Sequence, residues 1–218
     1  WDCAQRLGLE NATQVQFFPH PQRESLQLYL PDRLPLPNTP HYQESALKEI
    51  RRLLIFNTDR RGLTVILIQD TPLRQQISAI LAAEFGSRVQ VDRLEVDPQS
   101  IVVASWDFWL KHRYHLPSPT LLIITTLPFP SVEHPLVAAR VTYYKHHRQD
   151  WFQNFLLPQA LRDLQRAVAP VRLHPQPNLL AILDTRILYR SYGKYILGGL
   201  HPCTRLNYLD PWGQSLNS

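Results

Sequence analysis

The feature that most limits what this chain can become is a series of short, predominantly apolar runs: LTVILI at 63–68, IVVA at 101–104, LLIIT at 121–125 and LLAILD at 179–184. A strand with one wetted face alternates apolar and polar residues. These runs do not alternate, so each is expected to be covered on both faces. Helical patterns separate them. QESALKEIRRLLIFN sets Ala46, Leu47, Ile50, Leu53 and Leu54 on one side and Glu49, Arg51 and Arg52 on the other. PLRQQISAILAAEF (72–85), VEHPLVAARVTYYKHH and PQALRDLQRAVA (158–169) also read as helical, and RVQV (88–91) as a further short strand. Covered strands alternating with helices predict an α/β domain with a central, mostly parallel sheet flanked by helices.

The stretch from 17 to 42 is dense in proline. Proline fixes φ and removes a backbone donor, so only LQLYL within it is expected to pair as a strand. The chain therefore divides into an extended Pro-rich N-terminal arm (1–42), one α/β domain (43–200) and a C-terminal tail (201–218). At 218 residues it has room for one good core, and 44% hydrophobic with 19% charged residues is ordinary globular composition. The missing initiator methionine suggests a piece of a longer protein.

No apolar stretch approaches the roughly 20 residues needed to cross a bilayer, so no membrane partner is expected. Cys3 and Cys203 stand at opposite ends without neighbouring ligands at metal spacing. Neither a zinc site nor a disulfide framework is supported, and a reducing, cytoplasmic setting fits. The net charge of +5 favours an anionic partner, and of 23 basic residues only Lys48, Lys111, Lys145 and Lys194 are lysines. Arginine grips phosphate through a planar fork and stacks on bases.

Three segments interleave cations with aromatics: WDFWLKHRYH (106–115), YYKHHR (143–148) and LYRSYGKY (188–195). Single strands are held in this way, cations tracking phosphates while rings stack on bases. Lys111, Arg113, Lys145, Arg148, Arg190 and Lys194 are the candidate nucleic-acid contacts, whereas Trp106, Phe108 and Trp109 are expected to fill core. Other chemistries lack their signatures. No glycine-rich loop precedes a Lys-Ser or Lys-Thr, since Gly193-Lys194 has no upstream glycine and is followed by Tyr195. His112, His115, His146, His147 and Asp150 are not spaced as a zinc hydrolase needs, and no Gly-x-Ser-x-Gly elbow follows a strand.

The stretches LLIITTLPFPSVEHPLVAAR, FLLPQALRDLQRAV and LLAILDTRILYRSYGKYILGGL, with the arm before them, resemble the second RecA-like motor domain of DinG-type DNA helicases, relatives of the XPD helicases. The resemblance runs from about residue 5 to residue 200. It implies a RecA-like P-loop-type fold and an ATP-driven motor moving 5′ to 3′ on single-stranded DNA. It further implies that an upstream RecA-like domain of the same chain supplies the phosphate loop, and commonly an iron–sulfur cluster. No cofactor is expected in this fragment alone; ATP and magnesium would enter with that domain. Single-stranded DNA, or RNA, is the implied partner.

Several catalytic landmarks of the family are replaced. Where it has Phe-Trp-Glu-Gly-x-Asp, this chain keeps Phe108-Trp109 and then reads Leu110 to His115 without acid or glycine. The family's Gln-Gly-x-Gly-Arg-x-x-Arg finger motif is represented by RAVAPVRL, placing Arg166 at the glutamine, Ala167 and Ala169 at the glycines, and Pro170 at the first arginine. A shifted register brings Gln165 or Arg172 near those roles. Gln69-Asp70 replaces a Ser-Tyr pair, and Thr126 a lysine. An arginine finger can be worth about 10³–10⁵ in rate, so a degenerate motor is expected, with a catalytically inactive nucleic-acid-binding or protein-interaction module as the alternative. The Leu-Pro-Phe-Pro elbow is read as structural: Leu127, Phe129 and Leu136 lock the sheet to a helix on which Glu133 and Arg140 share a face.

Overall fold

In the computed structural model, residues 26–58, 62–173, 178–206 and 209 are described. The first 25 residues of the proline-rich arm and most of the tail lie outside them. Among the described residues seven strands form one sheet in the order β3-β4-β2-β5-β6-β1-β7, with every neighbouring pair parallel. In chain order these are β1 (Leu26–Tyr29), β2 (Leu63–Leu67), β3 (Val89–Val91), β4 (Ile101–Ala104), β5 (Pro119–Ile124), β6 (Leu179–Ile182) and β7 (Cys203–Leu206). The predominantly apolar runs are β2, β4, β5 and β6, and every residue of all four is buried.

Alternate strand residues feed two cores. Val65, Leu67, Val102, Leu122, Ile124, Leu180 and Ile182 join one hydrophobic cluster, while Ile66, Ile101, Val103, Leu121, Ile123, Leu179 and Ala181 join the other. The second core is closed by α1 (Tyr42–Phe56) and α2 (Thr71–Phe85), whose inward residues include Ala46, Leu47, Ile50, Leu53, Leu54, Ile77 and Leu81. That is the amphipathic face expected for α1. The first core is closed by α3 (Trp106–His112), α5 (Leu157–Arg172), α6 (Arg186–Tyr189) and α7 (Gly193–Gly199). Remaining is α4 (Pro135–His146), which buries only Val141 and belongs to a small satellite cluster with Phe155 and Leu156.

The LQLYL segment does pair, but deep in the sheet between β6 and β7. The start of the tail supplies β7. Three short helices, α3, α6 and α7, occupy stretches whose composition suggests loops, because four to seven residues are too few to show a helical period.

Local rules explain the helix starts. Asp70 caps α2, its carboxylate accepting from the Leu73 amide at 2.7 Å, and Ser105 caps α3 by accepting from Phe108 N at 3.2 Å. Asp150 accepts from the amides of Phe152 and Gln153 at 2.9 and 3.0 Å. These bonds start a π-helical turn, Phe152–Leu156, that runs into α5. Gly62 lets β2 and β5 begin side by side, since a Cβ there would lie 2.1 Å from the Thr120 side chain.

Two expectations about the elbow helix are corrected. Leu136 does not lock the sheet: it is 71% exposed, because it stands on the outer face of a helix that touches the domain along one narrow line. Glu133 lies in the turn before α4, so it shares no helical face with Arg140. Leu127 is buried as expected, and Phe129 is half-buried against the first core.

Burial decides what substitutions cost. Ile123→Ala, in the middle of β5, is expected to lower stability by about 2–5 kcal/mol through lost transfer energy and a cavity. Leu136→Ala is expected to stay within about 0.5 kcal/mol. Urea unfolding of the two variants checks both, and equal losses would contradict this packing.

Candidate nucleic-acid interface

In an open parallel sheet, functional groups gather where strands end and helices begin. At the carboxyl ends of β5 and β6 that place is organised by Asp184, which is 0% exposed. Its carboxylate accepts from Arg186 Nε at 2.8 Å and from Arg186 Nη2 at 2.6 Å, a two-pronged ion pair. It also accepts from the Leu127 amide at 2.9 Å and the Arg186 amide at 3.2 Å. Asp184 thus fixes the first residue of the Leu-Pro-Phe-Pro elbow, at the end of the neighbouring strand. The carboxylate's hydrogen bond holds the Arg186 guanidinium above its usual pKa.

Around this pair, Tyr42 at the start of α1 donates to the Thr125 carbonyl, and the Thr125 hydroxyl donates to the Leu67 carbonyl at 2.9 Å. Burial, with Asp184 nearby, pushes the Tyr42 phenol far above its ordinary pKa, so it stays a donor. Gly193 closes the arrangement. A Cβ there would meet the Ile187 carbonyl oxygen at 1.9 Å, so only glycine lets α7 follow α6 this closely.

Outward from Asp184 lies an aromatic cluster. Phe129 from the elbow, Phe152 from the π-helical turn and Tyr192 before α7 meet pairwise, with ring centres 5.2–5.5 Å apart. Trp151 abuts Phe152 at 6.2 Å, and Lys145 Nζ lies 5.7 Å from the Trp151 ring centre. Lys194 Nζ lies 5.0 Å from the ring centre of Tyr195. Two of the three basic segments are therefore joined through one set of rings, although they are some 50 positions apart in sequence.

The six candidate cations fall into three places. Lys145 sits in the last turn of α4 and Arg148 in the turn that follows, at a φ of 52°. Arg190 is the exposed residue ending α6, and Lys194 is in the first turn of α7. Lys111 and Arg113 stand at the far end of α3, not in an open loop. Arg113 folds back on its own helix, donating to the Leu110 carbonyl and lying 4.4 Å over the Tyr114 ring. Trp109 is buried, its indole donating to the Ala167 carbonyl at 3.0 Å, and Trp106 is buried as well.

The finger-helix residues are all on α5, and each has a local partner. Gln165 donates to the Gly199 carbonyl at 3.2 Å, and Arg166 lies 3.6 Å from Asp163. Arg172 donates to the Pro202 carbonyl at 2.8 Å and to the Leu200 carbonyl. Burial draws its guanidinium below the usual pKa. Pro170 is buried inside the last turns of the helix.

Sequence reasoning missed a groove. It opens between α4, the π-helical turn, the first half of α5 and α7, encloses about 890 Å³, and carries Arg140, Arg162 and the rings of Tyr143 and Tyr195 on its walls. Arg140 lies 5.3 Å over the Phe155 ring in that wall. The signal was faint because the lining comes from four elements.

Comparison with known proteins agrees with this architecture. Residues 117–203 match the helicase C-terminal domain family. The ATP-dependent DNA helicase YoaA of Haemophilus influenzae is 26% identical over 219 residues, covering 94% of this chain and 34% of that protein. YoaA of Escherichia coli is 26% identical over 211 residues, covering 92% and 33%. The 3′-5′ exonuclease DinG of Bacillus subtilis is 29% identical over 103 residues, or 47% of this chain and 11% of that one. Among solved structures, an XPD helicase superposes with a TM-score of 0.55 at 12% identity, covering 84% of this chain and 35% of the other. The S. tokodaii Xpd4 structure gives 0.52 at 13%, covering 81% and 37%. The chain spans about a third of the length of the YoaA proteins it matches.

Asp184 is the test of this architecture. Replacing one member of a buried ion pair leaves the other uncompensated, at a cost of about 3–5 kcal/mol. Because Arg186 keeps 27% of its side chain exposed, Asp184→Asn is expected near the lower end of that range. Arg186→Gln on top of it should cost little more. Thermal or urea unfolding of the singles and the double reads the coupling, and additive losses would show that the pair does not act as a unit.

Proposed function

We propose that this chain, a C-terminal helicase domain of the DinG/XPD type, binds single-stranded nucleic acid, DNA foremost, and drives it weakly or not at all. The observation that carries the second half is the end of α5. There the position that the resemblance gives to an arginine finger is held by the buried Pro170, and Arg172 spends its terminal nitrogens on the carbonyls of Leu200 and Pro202. A proline cannot neutralise charge on a phosphoryl group in its transition state, and a guanidinium already bonded to two carbonyls must break both bonds to try. Asp70, where the family has a tyrosine, serves as a helix cap.

The first half rests on the exposed cations of the aromatic cluster. Lys145 and Lys194 each lie over a ring, and Arg148 and Arg190 are exposed nearby in sequence. Such pairs suit a backbone whose phosphates alternate with bases. ATP and magnesium would be handled with an upstream RecA-like domain of the same protein, in the cytoplasm. A protein-interaction role is the second reading, favoured by the nearly unburied α4 with its exposed Leu136 and Tyr143.

DNA-stimulated ATP hydrolysis by the full-length protein tests the motor. Turnover is expected about 10³-fold or more below that of a relative with its finger intact, and brisk DNA-stimulated turnover would overturn the reading. For binding, Lys145→Ala with Lys194→Ala is expected to weaken affinity for an oligothymidylate and to flatten its salt dependence. Two lost phosphate contacts reduce the slope of log affinity against log salt by about 1.4. Salt-independent or absent strand binding would favour the protein-interaction role.

A further inference from the structure

The groove of about 890 Å³ has a chemistry more specific than a basic surface. Among the described residues its lining includes two arginines, Arg140 and Arg162, and no aspartate or glutamate. Asp163, outside that lining, pairs with Arg162 Nε at 3.0 Å and lies 3.6 Å from Arg166. The floor is stiff. Phe155 is buried, Tyr144 stacks nearly parallel to it at 6.1 Å and 15°, and Arg140 lies over the same ring at 5.3 Å.

Above the floor two large rings remain open to water, Tyr143 at 58% and Tyr195 at 46% exposure. His147 lies against one side of Tyr143, ring centres 4.2 Å apart, and Lys194 Nζ lies over Tyr195 at 5.0 Å, so each ring offers its remaining exposed surface to a ligand. The π-helical turn contributes amides as well: Asn154, with Gln159 on α5, lines the groove and offers both donors and acceptors. Short π-helical turns often mark functional sites because they widen the backbone locally.

Flat aromatic faces, amide edges, guanidinium groups and a lining without carboxylates together select a ligand that is planar, edged with hydrogen-bonding groups and negatively charged. A nucleotide has all three properties. We infer that the groove takes up one unstacked base of a bound single strand against the rings of Tyr143 and Tyr195, with its flanking phosphates on Arg140 and Arg162. This inference rests on the nucleic-acid reading above. A strand fits better than a free nucleotide because further cations stand next to lining residues on two of the groove's elements. Lys145 follows the lining residue Tyr144 on α4, and Lys194 precedes the lining residue Tyr195 on α7. A free mononucleotide brings phosphate at one end only, whereas a strand brings it on both sides of every base.

The test uses full-length protein and four probes: oligothymidylate, the same oligomer with one 2-aminopurine, an oligomer of abasic sugar-phosphate, and free thymidine monophosphate. Tyr143→Ala and Tyr195→Ala are each expected to weaken oligothymidylate binding about 5- to 100-fold, the range of one lost base stack. They should leave the abasic oligomer unaffected, while Tyr143→Phe and Tyr195→Phe keep near-native affinity. Binding should also quench 2-aminopurine in the native protein and not in the alanine variants. Oligothymidylate binding that is unchanged in the alanine variants, or equal losses on the abasic strand, would overturn the base-binding groove and leave the nucleic-acid reading standing. Failure of the native protein to bind any strand at low salt would overturn both. Saturable binding of free thymidine monophosphate that does not compete with the strand but is lost in Tyr143→Ala and Tyr195→Ala would assign the groove to a free nucleotide and also overturn the inference.

Discussion

A carboxylate with no exposed surface cannot keep its charge unless the protein replaces the water it has lost. Asp184 obtains that replacement from the guanidinium of Arg186 and two backbone amides, one of them the amide of Leu127 in the neighbouring segment. Much else at the carboxyl end of the sheet follows from it. The chain leaving β5 must present that amide, and prolines 128 and 130 limit the paths it can take next. Phe129 is thereby aimed at Phe152 and Tyr192, and the rings that carry Lys145 sit on that contact. The elbow is an electrostatic fixture first, and the aromatic surface is built on it.

The sheet was legible because its signal is redundant. Residues 63–68, 101–104, 121–125 and 179–184 are apolar on both faces but for Thr64, Thr125 and the terminal Asp184, and a strand covered on both faces requires that. The face of α1 was legible for a similar reason, since Ala46, Leu47, Ile50, Leu53 and Leu54 repeat at helical spacing. What could not be read is what tertiary pairing decides. Nothing in LQLYL says that it lies between β6 and β7, and nothing in CTRL says that it is a strand. The short helices α3, α6 and α7 are set by packing against α5 and the first core, and their composition resembles that of loops. Leu136 and Glu133 misled because helical spacing cannot say how much of a helix touches anything.

The site was partly legible, and for a physical reason. Cations beside aromatics are visible in sequence, so Lys145, Arg148, Arg190 and Lys194 could be named. The meeting of Phe129, Phe152 and Tyr192 depends on three distant segments converging, and the groove draws on four elements. At α5 the resemblance sets Pro170 where the family has an arginine, and the structure shows what Arg172 does: it binds the chain just before β7 to the end of the helix. A group that could have served a phosphate serves the framework.

The position of β1 has an outcome for how such a sheet is completed. Among the described residues β7 has one neighbour, β1, and β1 stands between it and β6. The strand made earliest among those described is therefore the seat of the strand made last, some 175 positions later. During synthesis on a ribosome β1 has to wait as an unpaired edge, first for β6 and then for β7, and parallel pairings across so long a span close slowly. The polar and proline-rich sequence around β1 suits a segment that must remain soluble in the interval.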